Sequence, residues 1–284
     1  MAIICFNRPQ EVQSAVESCL GLGFAEIIVL DNGSSLPLPS ISGARVIRSA
    51  ENLGVCGGRN LLLSTANTEF VLFLDDDAVL ERKSNMDVVI ESYRADQSLA
   101  IIAGLISRQD GTIKPHEFPF RTVSQITKQR RCGYFVGACF IARRRALLEI
   151  DGFDPSFFYG HEETDLSLRL AAKSMNILYT PDLRATHAPS QLGRGPSIQS
   201  TCRQLTNRLT LAARSLPPLP RVLHQTIWTL YYLVWTLRHD RTNLAKVLAV
   251  ASKFVTSTQN RTKQSGLDLR ASIKLHRLGY RVFW

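Results

Sequence analysis

At 284 residues, 45% apolar and 20% charged, the chain is long enough to bury one sizeable α/β core and carry an appendage, and its composition excludes fibrous and disordered classes. Its net charge of +10 is unevenly placed: residues 194–284 hold 15 Lys and Arg against two acids, giving +13, and the remainder holds 19 against 22, giving −3. A basic tail of this kind suits nucleic acid, anionic lipid or a polyanionic substrate, and its sign alone does not choose among them. Cys5, Cys19, Cys56, Cys132, Cys139 and Cys202 form no Cys-x-x-Cys pair and have no neighbouring His cluster, so reduced thiols are expected rather than a zinc site or disulfide framework. There is no signal-peptide succession and no uncharged apolar run of about 18 residues, which leads us to expect a cytoplasmic protein that does not span a bilayer.

In chain order, Ala2–Phe6 reads as a strand, Asn7-Arg8-Pro9 as a turn with Pro opening a helix to about Leu20, and Ile27–Leu30 as a strand ending in Asp31-Asn32-Gly33-Ser34-Ser35. Arg45–Ile47 makes a third strand. Asn52–Asn60 reads as a Gly-rich turn, with Arg59 where the following helix, from Leu61, would receive a phosphate at its N-terminus. The next strand, Phe70–Leu74, is apolar throughout, as expected of burial on both faces, and stops abruptly at Asp75-Asp76-Asp77. Three adjacent carboxylates repel one another, so the cluster costs folding free energy unless a cation or hydrogen-bond donors meet it; a solvated acidic turn is the plain alternative. Alternation of strand and helix predicts a mostly parallel sheet with helices on both faces, which places Asp31 and the Asp cluster at one edge, where such sheets bind ligands.

Beyond a helix at Met86–Arg94 and a buried strand at Leu99–Ala103, residues 114–131 read as an irregular basic surface loop, followed by a strand at Phe135–Ile141 and a short helix at Arg143–Ile150. An aromatic loop, Phe153 to Tyr159, then leads into Glu162, Glu163 and Asp165 in the first turn of a helix. Acids complement a helix start, and Asp165 fits that structural role, yet Glu162 and Glu163 together exceed what capping requires. Ile177–Tyr179 reads as a last strand before Pro181, with His187 in the segment beyond. The tail offers a basic helix over 199–214, a Pro breaker, an apolar stretch Ile227–Leu237 too short to span a bilayer, and an apolar stripe Leu244, Val247, Leu248, Ala251, Phe254 and Val255. This basic helical region, 194–284, suits a cap on the body, a homodimer contact or an anionic membrane surface.

Taken together, Cys5-Phe6-Asn7-Arg8-Pro9, Asp31-Asn32-Gly33-Ser34-Ser35, Glu51 to Gly54 with Gly57 to Asn60, Phe73 to Asp77, Gly152-Phe153-Asp154, Glu162 to Arg169 and His187 resemble the family 2 inverting glycosyltransferases of GT-A fold, near the bacterial rhamnosyltransferase-like members. The resemblance covers about residues 2 to 190. It implies a GT-A catalytic domain over 1–193, a Mg2+ or Mn2+ cofactor, and an NDP-sugar donor such as dTDP-rhamnose or a UDP-sugar. It further implies a saccharide or lipid-linked acceptor, in cell-surface polysaccharide or glycolipid synthesis at the inner face of the cell membrane. Carried over residue by residue, Asp31 faces the nucleobase, Asp76 with Asp75 the ribose, Asp77 and His187 hold the metal, and Glu163 is the catalytic base, with Glu162 and Asp165 as alternative acids on the acceptor side. Asn7, Asn52 and Arg59 complete the donor side. The short first strand and Leu36, where many members carry another acid, depart from the family pattern.

A single displacement needs one carboxylate to take the acceptor's proton and gives inversion; retention by double displacement needs a carboxylate nucleophile as well. Sugar-1-phosphate nucleotidyl transfer is the rival chemistry, but it calls for a Gly-rich loop with Arg and Lys after the first strand, where Asn7-Arg8-Pro9 stands. A non-enzymatic protein binding nucleic acid or an anionic surface through the tail is the other rival; no nucleic-acid motif accompanies the charge, so nucleic acid is not an expected partner.

Overall fold

The computed structural model describes residues 1–120, 126–189, 197–256, 273–274 and 277–278. Nine strands form one sheet among these residues: β1 (Ala2–Cys5), β2 (Ile28–Asn32), β3 (Arg45–Ser49), β4 (Phe70–Asp75), β5 (Ala78–Leu80), β6 (Leu99–Ser107), β7 (Arg130–Cys132), β8 (Cys139–Arg143) and β9 (Asn176–His187). The spatial order is β3-β2-β1-β4-β8-β6-β9-β5, and β7 flanks the first half of β9. β1 to β4 are mutually parallel, β8 runs against both β4 and β6, and β9 lies parallel to β6. The C-terminal ends of β1, β2, β4 and β9 therefore share one edge, which collects Asn7, Asp31, Asp75 to Asp77 and His187.

Burial on both faces explains why β4 can present its acids. Val71 and Phe73 enter the core on one side, beneath α2 (Gly54–Thr65), α4 (Arg144–Leu148) and α5 (Glu162–Ala172), while Leu72 and Leu74 enter the core on the other, beneath α1 (Pro9–Cys19) and α3 (Met86–Ala95). Each such side chain contributes on the order of 1.5–3 kcal/mol by leaving water, so four of them outweigh the repulsion among carboxylates at the strand end.

Several boundaries differ from the sequence reading. α2 begins at Gly54, so Gly57, Gly58 and Arg59 lie inside the helix. Gly58 is there for close packing, since a Cβ would stand 2.9 Å from the Ile4 side chain. Strand β9 runs through Pro181: its pairing with β6 jumps from Tyr179–Ala103 to Arg184–Leu105, so Pro181 sits in a bulge where no ladder hydrogen bond is required of it. β5 and β7 were not expected; each is three residues long, and β7 begins at the end of the stretch read as irregular. The expected boundary at residue 193, Arg121 of the basic loop, and residues 257–272 of the tail lie outside the described residues.

The tail is helical as far as it is described: α6 (Ile198–Ser215), α7 (Pro218–His239) and α8 (Leu244–Thr256). Leu205, Leu209 and Val247 knit them into a small core of their own, while Leu211 of α6 joins the core of the body. α7 leaves a long apolar stripe in solvent, from Leu219, 81% exposed, through Leu223, Ile227, Leu230 and Val234 to Leu237. None of these helices is long and apolar enough to cross a membrane.

Candidate active site

At the shared edge, two turns are latched together. Asn7, with φ +59°, donates its backbone N–H to Ser34 Oγ at 2.9 Å and accepts at Oδ1 from the Ser35 N–H at 2.8 Å. Asp31, 1% exposed, accepts from the N–H groups of Ser34 and Leu38 and from Arg48 Nη1 at 2.6 Å. Burial alone would raise its pKa, but these donors hold it below the usual carboxylate range. Asp31, expected to face a nucleobase, thus has both oxygens engaged by the turn and by Arg48. Asn52 is likewise committed to Asn32 and the Gly54 N–H.

The Asp cluster is not a solvated turn. Asp77 is buried and held from two sides: Oδ2 lies 3.3 Å from Arg8 Nη1 and Oδ1 3.1 Å from His187 Nε2. Asp76 Oδ1 meets the same Arg8 nitrogen at 2.9 Å, and burial, opposed by Arg8 and aided by the neighbouring Asp77 and Asp75, pushes its pKa up to about 7. His187 Nδ1 is 2.7 Å from Glu117 Oε1, whose other oxygen lies 2.8 Å from Arg108 Nε. Burial would lower the His187 pKa, yet hydrogen bonding to Asp77, the charges of Asp75 and Asp77, and Glu117 raise it above its ordinary value. Neither Arg8 nor Glu117 was assigned a role from sequence, although Arg8 sits beside Asn7 at the same sheet edge.

Asp75, Asp77 and His187 bring ligand atoms within 4.8 Å of one another, and their two carboxylates and one imidazole suit a divalent cation such as Mg2+ or Mn2+. Glu117 fixes the ring so that Nε2 faces the cluster, the carboxylate–histidine arrangement that orients metal ligands elsewhere.

The three acids of α5 separate cleanly. Asp165, 1% exposed, pairs with Arg169 at 2.7 Å and lies 3.8 Å from Arg214, a structural site within the body. Glu162 is buried with Oε1 3.5 Å from Arg59 Nη1. Glu163 alone is half-buried and turned toward Gly137, where an added Cβ would stand 2.5 Å from its Oε1. Burial and the neighbouring Glu162 charge push the Glu163 pKa up to about 8, against the pull of Arg59. Arg59 itself does not stand free at a helix start as expected; it is buried in α2, stacked near Phe140 and Phe153, and it reaches Asp75 at 3.5 Å as well as Glu162. It ties the acid cluster of β4 to the acids of α5.

The loop that carries these acids is strained and clamped. Phe158 and His161 have φ of +55° and +68°, a conformation that costs on the order of 1–3 kcal/mol for such residues. Asn207 of α6 offsets the cost by donating Nδ2 to the carbonyls of Phe157, Tyr159 and Gly160, and the Val55 N–H donates to Phe158 O at 2.7 Å. Gly54 is obligatory opposite it, because a Cβ there would lie 2.6 Å from the Phe158 ring. Asn207 was invisible to sequence reasoning, since nothing in a basic helix marks which Asn meets a distant loop.

The model of the family named "Glycosyl transferase family 2" matches residues 1–151, more than half the chain. The chain belongs to glycosyl transferase family 2. This glycosyltransferase is 26% identical over 196 residues to the pre-mycofactocin glycosyltransferase of Mycobacterium tuberculosis, covering 64% of this chain and 40% of that one. It is 28% identical over 111 residues to the N-acetylglucosaminyl-diphospho-decaprenol L-rhamnosyltransferase of the same organism, covering 39% and 33%. It thus spans about two fifths or less of these relatives' own length. Among solved structures, GalNAc-T7 with UDP, GalNAc and Mn2+ aligns with TM-score 0.59 at 15% identity, over 89% of this chain and 54% of that one. The mannosyltransferase PcManGT from Pyrobaculum calidifontis, with GDP-Man and Mn2+, aligns with TM-score 0.57 at 17% identity, over 97% and 86%. The fold is GT-A, and membership of the family supports the glycosyltransferase class rather than nucleotidyl transfer.

Proposed function

We propose that this glycosyltransferase moves a sugar, with inversion, from an NDP-sugar to an acceptor hydroxyl. The observation that carries the reading is the convergence, at one sheet edge, of the Asp75, Asp77 and His187 ligand set with the acids of α5: Arg59 bridges Asp75 to Glu162, and Glu163 stands next to Glu162. A divalent ion bound by Asp75, Asp77 and His187 would supply charge stabilisation for the departing diphosphate. Glu163 accepts the proton of the acceptor hydroxyl, and its raised pKa suits a base working near neutral pH. Glu162, neutralised against Arg59, and Asp165, spent on Arg169, are positioned to hold α5 rather than to receive that proton.

A rhamnosyltransferase among the relatives, named for a diphospho-decaprenol acceptor, supports a deoxyhexose donor and a lipid-linked acceptor here. The exposed apolar stripe of α7, with Trp228 and Trp235 on the same helix and Arg221 and Arg238 toward its ends, supports work at an anionic membrane surface. The test is hydrolysis and transfer across a panel of UDP-, GDP- and dTDP-sugars with Mn2+ or Mg2+. Turnover of at least one donor that vanishes on chelation is expected; metal-independent turnover, or none in the wild type alongside an active control relative, would refute the reading.

A further inference from the structure

Arg8 does more than terminate a turn. Its Nη1 reaches Asp76 Oδ1 at 2.9 Å and Asp77 Oδ2 at 3.3 Å, and its side chain is only 15% exposed. From the other side Asp77 meets His187. The fixed cation Arg8 and the His187 ring therefore already face a carboxylate of the ligand set formed by Asp75, Asp77 and His187. A guanidinium cannot shed its proton to relieve repulsion when a dication arrives, so it must turn to another anion. The anion that accompanies the ion in the proposed reaction is a diphosphate, and the planar guanidinium fork matches phosphate oxygens.

We propose that Arg8 is the resident counter-cation of Asp76 and Asp77, and that it passes its hydrogen bonds to phosphate oxygens of a nucleoside diphosphate when the divalent ion enters. The inference rests on the glycosyltransferase reading of this edge. It assigns to Arg8 a binding role in two exclusive settings: against carboxylates in the empty enzyme, and against phosphate in the loaded one. The two settings have opposite consequences for the two ligands, which makes them separable.

The experiment uses the full chain with Arg8→Ala and Arg8→Lys, checked for native circular dichroism. Mn2+ alone is titrated by electron paramagnetic resonance, and UDP, GDP and dTDP are titrated by calorimetry at saturating Mn2+. Arg8→Ala is expected to bind Mn2+ alone roughly tenfold more tightly, because a unit positive charge near the ion is gone. Its affinity for the preferred nucleotide should fall by about tenfold or more, as a charge-assisted contact is lost. Arg8→Lys should bind Mn2+ as the wild type does while recovering only part of the nucleotide affinity. Mn2+ binding no tighter in Arg8→Ala overturns the counter-cation role, and tighter Mn2+ with unchanged nucleotide affinity overturns the transfer to phosphate. If Arg8→Ala does not fold, Arg8→Lys decides against the wild type, and undiminished nucleotide affinity overturns the proposal. A wild type that binds neither Mn2+ nor any of the three nucleotides overturns the proposal together with the reading of the site, an outcome distinct from wild-type binding that Arg8→Ala leaves untouched.

Discussion

Replacing Glu163 with Gln keeps the shape of the side chain and removes its capacity to take a proton, and the structure fixes two independent consequences. The carboxyl ionises in the unfolded chain near its ordinary value of 4.5 and in the folded protein only near about 8, because burial and the charge of Glu162 disfavour the anion. A carboxyl whose folded pKa is raised opposes folding as pH climbs between the two values, at about 1.4 kcal/mol per pH unit, so the cost at pH 7 is at most about 3 kcal/mol and levels off above pH 8. Glu163→Gln is therefore expected to match the wild type in stability at pH 4 and to exceed it at pH 8, in urea unfolding followed by fluorescence. Turnover should fall by about 10²–10⁴ with donor affinity barely changed, as for a group acting in the transition state. A variant that is inactive but less stable than the wild type at pH 8 would show that Glu163 is a buried structural partner and not a poised base. Near-full activity would move the base to Glu162 or Asp165, and activity in all three variants would remove the single-base mechanism.

Asp165→Asn breaks a buried pair with Arg169 and should cost about 3 kcal/mol, well beyond a helix-cap effect; a urea midpoint shift worth under 1 kcal/mol would contradict that placement. Asp77→Ala should abolish Mn2+ binding measured without nucleotide, while His187→Ala weakens it less, since carboxylate ligands survive; equal affinities across the three proteins would unseat the ligand set. In the wild type, Mn2+ affinity should rise with pH through the elevated His187 pKa, by up to tenfold per unit, because the ring must release a proton to offer Nε2; a flat profile from neutral to alkaline pH would count against it. The full chain should float with anionic liposomes at low salt and Leu230→Asp should not; sedimentation of both would favour a structural cap or dimer contact for α7.

The parts legible in the sequence are those where a local pattern and a global constraint agree. A buried apolar strand ending in acids pointed to β4 delivering Asp75 to Asp77 to an edge, and the periodicity of the first 75 residues carried the parallel sheet with it. The resemblance supplied His187 and Glu163. What failed to show depends on contacts across long separations. Glu117 lies 70 residues from His187 in the chain, and Arg8 lies 68 and 69 residues from its two acids. Arg59 was placed wrongly because glycines in sequence speak for a turn, whereas tertiary packing against Ile4 and Phe158 selects them inside a helix. The mutual repulsion of the Asp cluster was legible, but not that Arg8 and His187 already meet Asp77, so that its removal strands both partners.

The single amide of Asn207 holds three carbonyls of the loop that orients Glu163, and Arg214 of the same helix reaches Asp154 at the loop's start. Helix α6 is thereby tied into the body that carries the acids, in spite of its different composition. Anyone grafting the acceptor-side region of one relative onto another, or trimming this enzyme to a minimal soluble core, would have to cut after Ser215 and not before Ile198. A chimera spliced at the apparent end of the sheet would retain every acid and lose the brace that aims them.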